Sequence, residues 1–340
     1  MSDSEQLIEA FDARARRRGE RREFFKTAFG AVAISAAGMA YATAADAQST
    51  PAPTPTDNDI LNFALNLEYL EANFYSYAVT GAPIPLSMTD GSGTFGAATG
   101  GRAVIFNDPI VQRYAQEIYQ DELAHVSFLR NTLGATARVA QPAIDVGIAP
   151  NGAFSNAARA AGIITAATDV FDPYASAENF LLGAFIFEDV GVTAYKGASP
   201  LITNKTYLEA AAGILAVEAY HASVVRTVLY RKGVGTPASG TTPAVAAQPA
   251  LITNAGKISD ARDSLDGSAD LDQGIAATAG TFGQQSNIVP TDATNSLAFS
   301  RTAGQVLNIV YLSSNAVTMG GFFPNGVNGT LAALKTSTQN

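Results

Sequence analysis

The chain has 340 residues, 47% of them hydrophobic, which is enough apolar side chain for one large packed domain or two small ones. Its net charge of −9 argues against nucleic acid or an anionic membrane surface as a partner. It contains no cysteine, which excludes disulfides, thiolate catalysis, iron–sulfur clusters and a cysteine-ligated iron centre.

Residues 1–47 read as a targeting segment. Basic and acidic residues cancel there, so the rest of the chain keeps the whole −9. Glu20-Arg-Arg-Glu-Phe-Phe-Lys26 precedes an alanine-rich apolar run from Thr27 to Ala45, short for a membrane span. Arg21 and Arg22 resemble the twin-arginine export signal, and Ala45-Asp-Ala47 fits a small-x-small cleavage site. The expectation is a periplasmic protein exported by that pathway, with a mature chain starting at or near Gln48 and no stable membrane span after the signal is removed. A retained N-terminal anchor is the alternative. Residues 48–56 form a proline-rich linker.

Four long helices are expected next. The first covers 57–80, capped by Thr56 or Asp57. Leu61-x-x-Ala-Leu-x-x-Glu68 puts Glu68 on its apolar face, with Tyr75 seven residues on. Residues 81–106, rich in Gly, Pro, Ser and Thr, read as a long loop. The second helix covers 107–133, opens on Asn107-Asp-Pro109 and carries Glu122-Leu-Ala-His125. About forty residues then intervene, against the roughly 2–8 that adjacent antiparallel helices need. A connection that long suits a crossover, with a short helix near Phe154–Thr165. The third helix, 176–196, repeats the first as Leu181-x-x-Ala-Phe-x-x-Glu188 with Tyr195 seven residues on. The fourth, 204–232, carries Glu218-Ala-Tyr-His221. Residues 234–256 read as loop. A short helix is expected over 257–265 and a long one from Asp292 to Tyr311, capped by Thr291 or Asp292. The irregular Gly320–Gly329 segment should fold back to bury Phe322 and Phe323.

Both histidines of the chain stand three residues after a glutamate, on one helix face, and both continue as His-x-Ser-x-x-Arg to Arg130 and Arg226. The neighbours of Glu218 on that face are Ile214, Leu215, Ala222 and Val225, so its carboxylate would be buried and would need a partner or a metal. Four ionised glutamates, Glu68, Glu122, Glu188 and Glu218, balance two divalent cations. A lone Glu-x-x-His usually lies on a solvated face. Two copies that use every histidine, beside two apolar-face glutamates, weigh against that reading.

At these residues the chain resembles the ferritin-like di-iron carboxylate proteins. Leu67-Glu-Tyr-Leu-Glu-Ala-Asn-Phe-Tyr75 and Gly320-Gly-Phe-Phe-Pro-Asn-Gly-Val-Asn-Gly329 look more closely like exported ferritin-like proteins related to plant desiccation-related proteins, over residues 57–330. The resemblance implies an all-α fold: a ferritin-like four-helix bundle over 57–233 with a long crossover, and a C-terminal helical and loop-rich extension, 234–340, packed on it. It implies two iron or manganese ions per chain, bridged by Glu122 and Glu218, with Glu68 and Glu188 as terminal ligands and one nitrogen each from His125 and His221. Positions left open would take peroxide or oxygen. The expected function is redox chemistry on peroxide, oxygen or ferrous iron, of peroxidase, catalase or ferroxidase type, in a protein able to form a homo-oligomer. The other reading is a non-enzymatic envelope stress or desiccation-protection protein with a structural or vestigial metal site.

Several neighbours of the six are open. Glu71 is either an extra ligand or solvated. Tyr75 and Tyr195 either hydrogen-bond ligands or fill core, and Tyr119 is placed to reach the site. Asp121 and Glu117 are expected at the surface. Arg130 and Arg226 are expected in salt bridges at the bundle ends, with buried carboxylates as the alternative partners.

Overall fold

The structure is a computed structural model that describes residues 53–241 and 244–339. The expected export signal and most of the expected linker lie outside the described residues.

Helix α1, Asp57–Thr80, starts at Thr56, whose hydroxyl and the Asp59 carboxylate form a reciprocal capping box. It ends where Gly81 turns left-handed at φ 78°. From Ile60 to Ala78 every residue except Ala64 is buried. Helix α2, Pro109–Ala137, has Asp108 as its cap and proline in its first turn. Its backbone leaves helical geometry at Gly134 (φ 71°, ψ 172°), so its last residues form a separate turn. A third helix, α3, Ala153–Ala160, lies within the crossover. Helix α4, Ala177–Ala198, is capped by Ser176 and is buried continuously from Phe180 to Tyr195. Helix α5, Lys205–Val234, is capped by Asn204.

Two kinds of helix therefore build the bundle. Helices α1 and α4 are buried nearly all round, α1 with Asn62, Asn66 and Asn73 hydrogen-bonded inside the core. Helices α2 and α5 bury one stripe each: Val111, Ala115, Ile118, Glu122, His125 and Leu129 on α2, and Ala211, Ile214, Glu218, His221, Val225 and Leu229 on α5. Packing pairs α1 with α2 and α4 with α5, and the pairs meet through α1 against α4 and α2 against α5. Among the described helices, α5 is long and apolar enough to span a membrane, with a mean hydropathy of 1.3, and here its stripe packs into the bundle.

The crossover between α2 and α4 is tied to the α1–α2 loop by a short parallel ladder, β1 (Ala98–Thr99) with β2 (Ile144–Asp145). Beyond α5 the chain forms α6, Pro249–Asp266, which packs on α4 and α5, then the hairpin β3 (Thr278–Gly280) and β4 (Gly283–Gln285), then α7, Ala303–Val310. Phe322 and Phe323 are fully buried. The Phe322 ring lies 4.9 Å from Phe187 and 5.2 Å from Phe154, so the glycine-rich return completes the aromatic packing around α4.

Two elements differ from expectation. The helix expected over 257–265 starts earlier, at Pro249, because Leu251, Ala255 and Ile258 extend one buried stripe back through the stretch read as loop. The long helix expected from Asp292 to Tyr311 is only Ala303–Val310. Asp292 caps no helix there. Its carboxylate accepts from the N–H groups of Thr294, Asn295 and Leu297 and closes a turn. The Arg301 N–H donates to the Thr193 carbonyl of α4, and the capping box of Thr302 with Gln305 then starts α7.

Candidate metal centre

Each of the four long helices contributes to one buried cluster. Helix α1 brings Glu68, α2 brings Glu122 and His125, α4 brings Glu188, and α5 brings Glu218 and His221. All six are at most 8% exposed, and the four glutamates at most 1%. They fall into two overlapping sets. Glu68, Glu122, His125 and Glu218 offer ligand atoms within 4.8 Å of one another, as do Glu122, Glu188, Glu218 and His221. Glu122 and Glu218 belong to both. His125 Nδ1 lies 3.3 Å from Glu68 Oε2, 3.5 Å from Glu122 Oε2 and 3.9 Å from Glu218 Oε1. His221 Nδ1 lies 2.9 Å from Glu122 Oε1 and 3.6 Å from Glu188 Oε2.

Eight buried atoms of these six residues make no well-directed hydrogen bond, only contacts within the cluster such as His221 Nδ1 with Glu122: one oxygen each of Glu68 and Glu188, both of Glu122 and Glu218, and Nδ1 of both histidines. Leaving so many buried polar atoms unpaired would cost roughly 1–3 kcal/mol each. Carboxylate oxygens and imidazole nitrogens that converge without well-directed hydrogen bonds are the donor set of a divalent metal. The residues fit a metal site built from two groups that share Glu122 and Glu218.

Protons hold the cluster together when no metal does. Burial pushes Glu68 up to about 7 against the pull of His125, and Glu188 up to about 8 against His221. Glu218 is raised well above the carboxylate range, first by burial and then by Glu71 and Glu122. Burial also raises Glu122, but His125 and His221 outweigh it and bring it down to about 2. Burial opposes charge on the histidines, and the carboxylates overcome it: His125 rises to about 11, chiefly through Glu68 and Glu122, and His221 to about 9 through Glu122 and Glu188.

The two tyrosines cross over. Tyr75 of α1 donates its hydroxyl to Glu188 of α4, and Tyr195 of α4 donates to Glu68 of α1. Each fixes a carboxylate on the opposite helix, leaving its other oxygen free. Seven residues of helix is about 10.5 Å, so the spacing carries each hydroxyl to the level of the partner helix's glutamate.

Glu71 is not solvated. It is 5% exposed, and burial together with Glu122, Glu188 and Glu68 raises its carboxyl well above the usual range. Its counterpart in the α4 repeat is Gly191. A Cβ at Gly191 would lie 2.3 Å from Glu218 Oε2 and 3.5 Å from Glu71 Oε1, so the bare backbone there makes room for both.

Asp121 lies at the surface as expected, with its side chain 44% exposed. Its Oδ2 lies 3.1 Å from His221 Nε2 and orients that ring. Glu117 is exposed, and Tyr119 packs against the core without a hydrogen bond to any of the six.

Both arginines are buried, and the two repeats diverge: Arg130 bridges to the exposed Asp90, and only Arg226 turns to a buried carboxylate. Arg130 binds the Tyr69 hydroxyl at 2.6 Å and the carbonyl and carboxylate of Asp90. Arg226 is 1% exposed and pairs with buried Asp189 at 2.8 Å. Arg262 of α6 pairs with Asp189 and with Asp272, and Arg301 pairs with Asp266 and Asp272. Three arginines and three aspartates thus form one buried network against Asp189, the residue after Glu188. The sequence reading missed it, because its partners are far apart in the chain and follow no spacing rule.

Two curated proteins are similar over most of their length. The ferritin-like catalase Nec2 of Nesocodon mauritianus is 27% identical over 300 residues, covering 84% of this chain and 88% of that one. The desiccation-related protein PCC13-62 of Craterostigma plantagineum is 29% identical over 285 residues, covering 82% and 85%. No solved structure matches. The sequence profile of the ferritin-like domain matches residues 56–231. That stretch starts at the cap of α1, ends in the last turn of α5 and makes up more than half of the chain, which therefore belongs to the ferritin-like domain family.

Proposed function

We propose that this protein is an exported dinuclear iron or manganese oxidoreductase that removes peroxide. Glu68, Glu122, His125 and Glu218 would hold one ion, and Glu122, Glu188, Glu218 and His221 would hold the other. The observation that carries this is the set of eight ligand atoms without a well-directed hydrogen bond, buried in two sets that share Glu122 and Glu218. Two such ions, when bound, supply a two-electron change divided between them.

The chain's own residues do the rest. The four helices hold the ligands on rigid elements. Tyr75 and Tyr195 aim the terminal carboxylates of Glu188 and Glu68, and Asp121 fixes the ring of His221. Glu71 has no hydrogen-bond partner among the described residues and lies beside Glu218, where it is placed to hold a proton at its carboxyl close to bound peroxide. The apolar surroundings exclude bulk water. Disproportionation of peroxide needs no outside electron donor, which suits a chain with no cysteine for an electron-transfer centre. The relative named as a ferritin-like catalase supports peroxide over oxygen or ferrous iron as substrate.

A second reading has its own support in the desiccation-related relative: a protective protein whose metal is structural. Metal analysis followed by peroxide turnover separates the two. Protein purified natively and reloaded with manganese or iron should carry about two ions per chain and evolve oxygen from peroxide. Glu122→Ala and Glu218→Ala should each lose both properties, because each removes a shared carboxylate. Wild-type protein with two ions and no peroxide turnover would leave the structural reading. Full metal content in both variants would end the site assignment.

A further inference from the structure

A large groove among the described residues lies away from the six ligand residues. It encloses about 510 Å³ between the α1–α2 loop, the crossover and the C-terminal return. That is the size of an ordinary small-molecule site. Its walls are stitched together by one side chain: Asn328 accepts from the Thr94 N–H and donates to the carbonyls of Thr94 and Ala140. The Asn328 N–H in turn donates to the side chain of Asn66 on α1. Two glycines let the walls approach. A Cβ at Gly96 would lie 2.3 Å from the Ala143 N–H nitrogen, and one at Gly326, with φ 78°, would lie 2.3 Å from the Thr318 carbonyl oxygen. The groove is therefore preformed by tight backbone contacts.

Its lining is unlike the rest of the surface. In a chain of net charge −9 no acid lines it, and its one charged residue is Lys335. The Lys335 ammonium has no ion pair or hydrogen bond among the described residues. The hydroxyls of Thr94 and Thr318 and the amide of Asn325 are likewise unengaged. Beside them, Phe95 and Met319 are exposed to 49% and 53%, two large apolar side chains held open at the mouth. An aromatic face, several free hydrogen-bonding groups and one cation match a ring with an apolar face, several hydroxyls and one carboxylate. One lysine balances the single charge of a carboxylate and would leave a phosphate dianion half neutralised.

We propose that this groove binds a sugar acid, with Lys335 on its carboxylate, Phe95 against its ring, and Thr94, Thr318 and Asn325 on its hydroxyls. The proposal does not depend on the metal centre.

The test is calorimetric titration of the full chain with glucuronate, galacturonate and mannuronate, with glucose and acetate as controls. At least one sugar acid should bind, with glucose about tenfold weaker or more, as expected for loss of one charge-assisted hydrogen bond. Acetate should not bind measurably. Lys335→Ala and Phe95→Ala should each weaken the sugar acid about tenfold or more, with melting temperature and metal content unchanged. Both residues are at least partly exposed, so neither change threatens the fold. Absence of binding by all three acids overturns the proposal. So does glucose binding as tightly as the acids, or full affinity in both variants.

Discussion

Tyr75 and Tyr195 show how one residue on each central helix governs a carboxylate on the other. Tyr75→Phe removes the tyrosine hydrogen bond to Glu188, and Tyr195→Phe removes the one to Glu68. Each should weaken binding of the second metal ion by about 10–100-fold, read by manganese titration of metal-free protein, with the fold retained. Unchanged affinity in both would make the tyrosines mere core. The six ligand candidates could be picked out from the chain because a metal site written on helices keeps its i, i+3 spacing in sequence. Glu71 could not be placed that way, nor could the contact of Asp121 with His221 be read from spacing. Whether a residue three from a ligand points inward depends on the facing helix, and in this protein that is the missing side chain of Gly191. The pKa pattern sets a pH dependence. Glu68, Glu188, His125 and His221 all hold protons more tightly when folded than unfolded, at about 7, 8, 11 and 9. Their stabilisation is present at low pH and is lost as pH rises through those values. Glu122, brought down to about 2, contributes in the opposite sense, and its share is lost only as pH falls toward 2. Metal-free protein should thus melt at a lower temperature at pH 8.5 than at pH 5.5. Bound metal replaces those protons, so the gap between loaded and metal-free melting temperatures should widen with pH. A gap that stays constant or narrows would contradict this charge assignment.

Among the elements, the four long helices were legible because caps and glycines mark their ends and their apolar stripes have a helical period. The C-terminal elements were harder. Asp292 looks like a helix cap but closes a turn, and the Pro249 start of α6 lies inside a stretch whose Thr, Ala and Pro content reads as loop. Helix α6 matters more than its short expected form suggested, because it carries Arg262. That guanidinium spans Asp189 and Asp272 and also donates to the Phe185 carbonyl of α4. Arg262→Ala would leave two buried carboxylates short of a partner and should cost about 3–5 kcal/mol, measured by chemical denaturation. A loss below about 1 kcal/mol would mean that Arg226 and Arg301 carry the network without it.

On the scale of the whole molecule, the charge pattern at the N-terminus carries the localisation proposal. Replacing Arg21 and Arg22 by lysine should leave precursor in the cytoplasm, detected by fractionation and mass. Normal periplasmic accumulation of mature protein would remove the twin-arginine reading. The fold itself bears on what that pathway would handle. The pair of hydrogen bonds between Asn66 and Asn328 joins residues 262 apart. Phe187 in the middle of the bundle is not covered until Phe322 packs on it. Local helix formation thus brings folding only part of the way, and closure waits for the Gly320–Gly329 return to be made. Long-range closure of this kind is slow. While it is pending, the nascent protein exposes apolar rings and the unpaired Asp189 of α4. A translocation route that accepts only finished domains would give this chain the time it needs, whereas one that threads unfolded polypeptide would require the entire bundle to be assembled on the far side, where metal supply and chaperones differ.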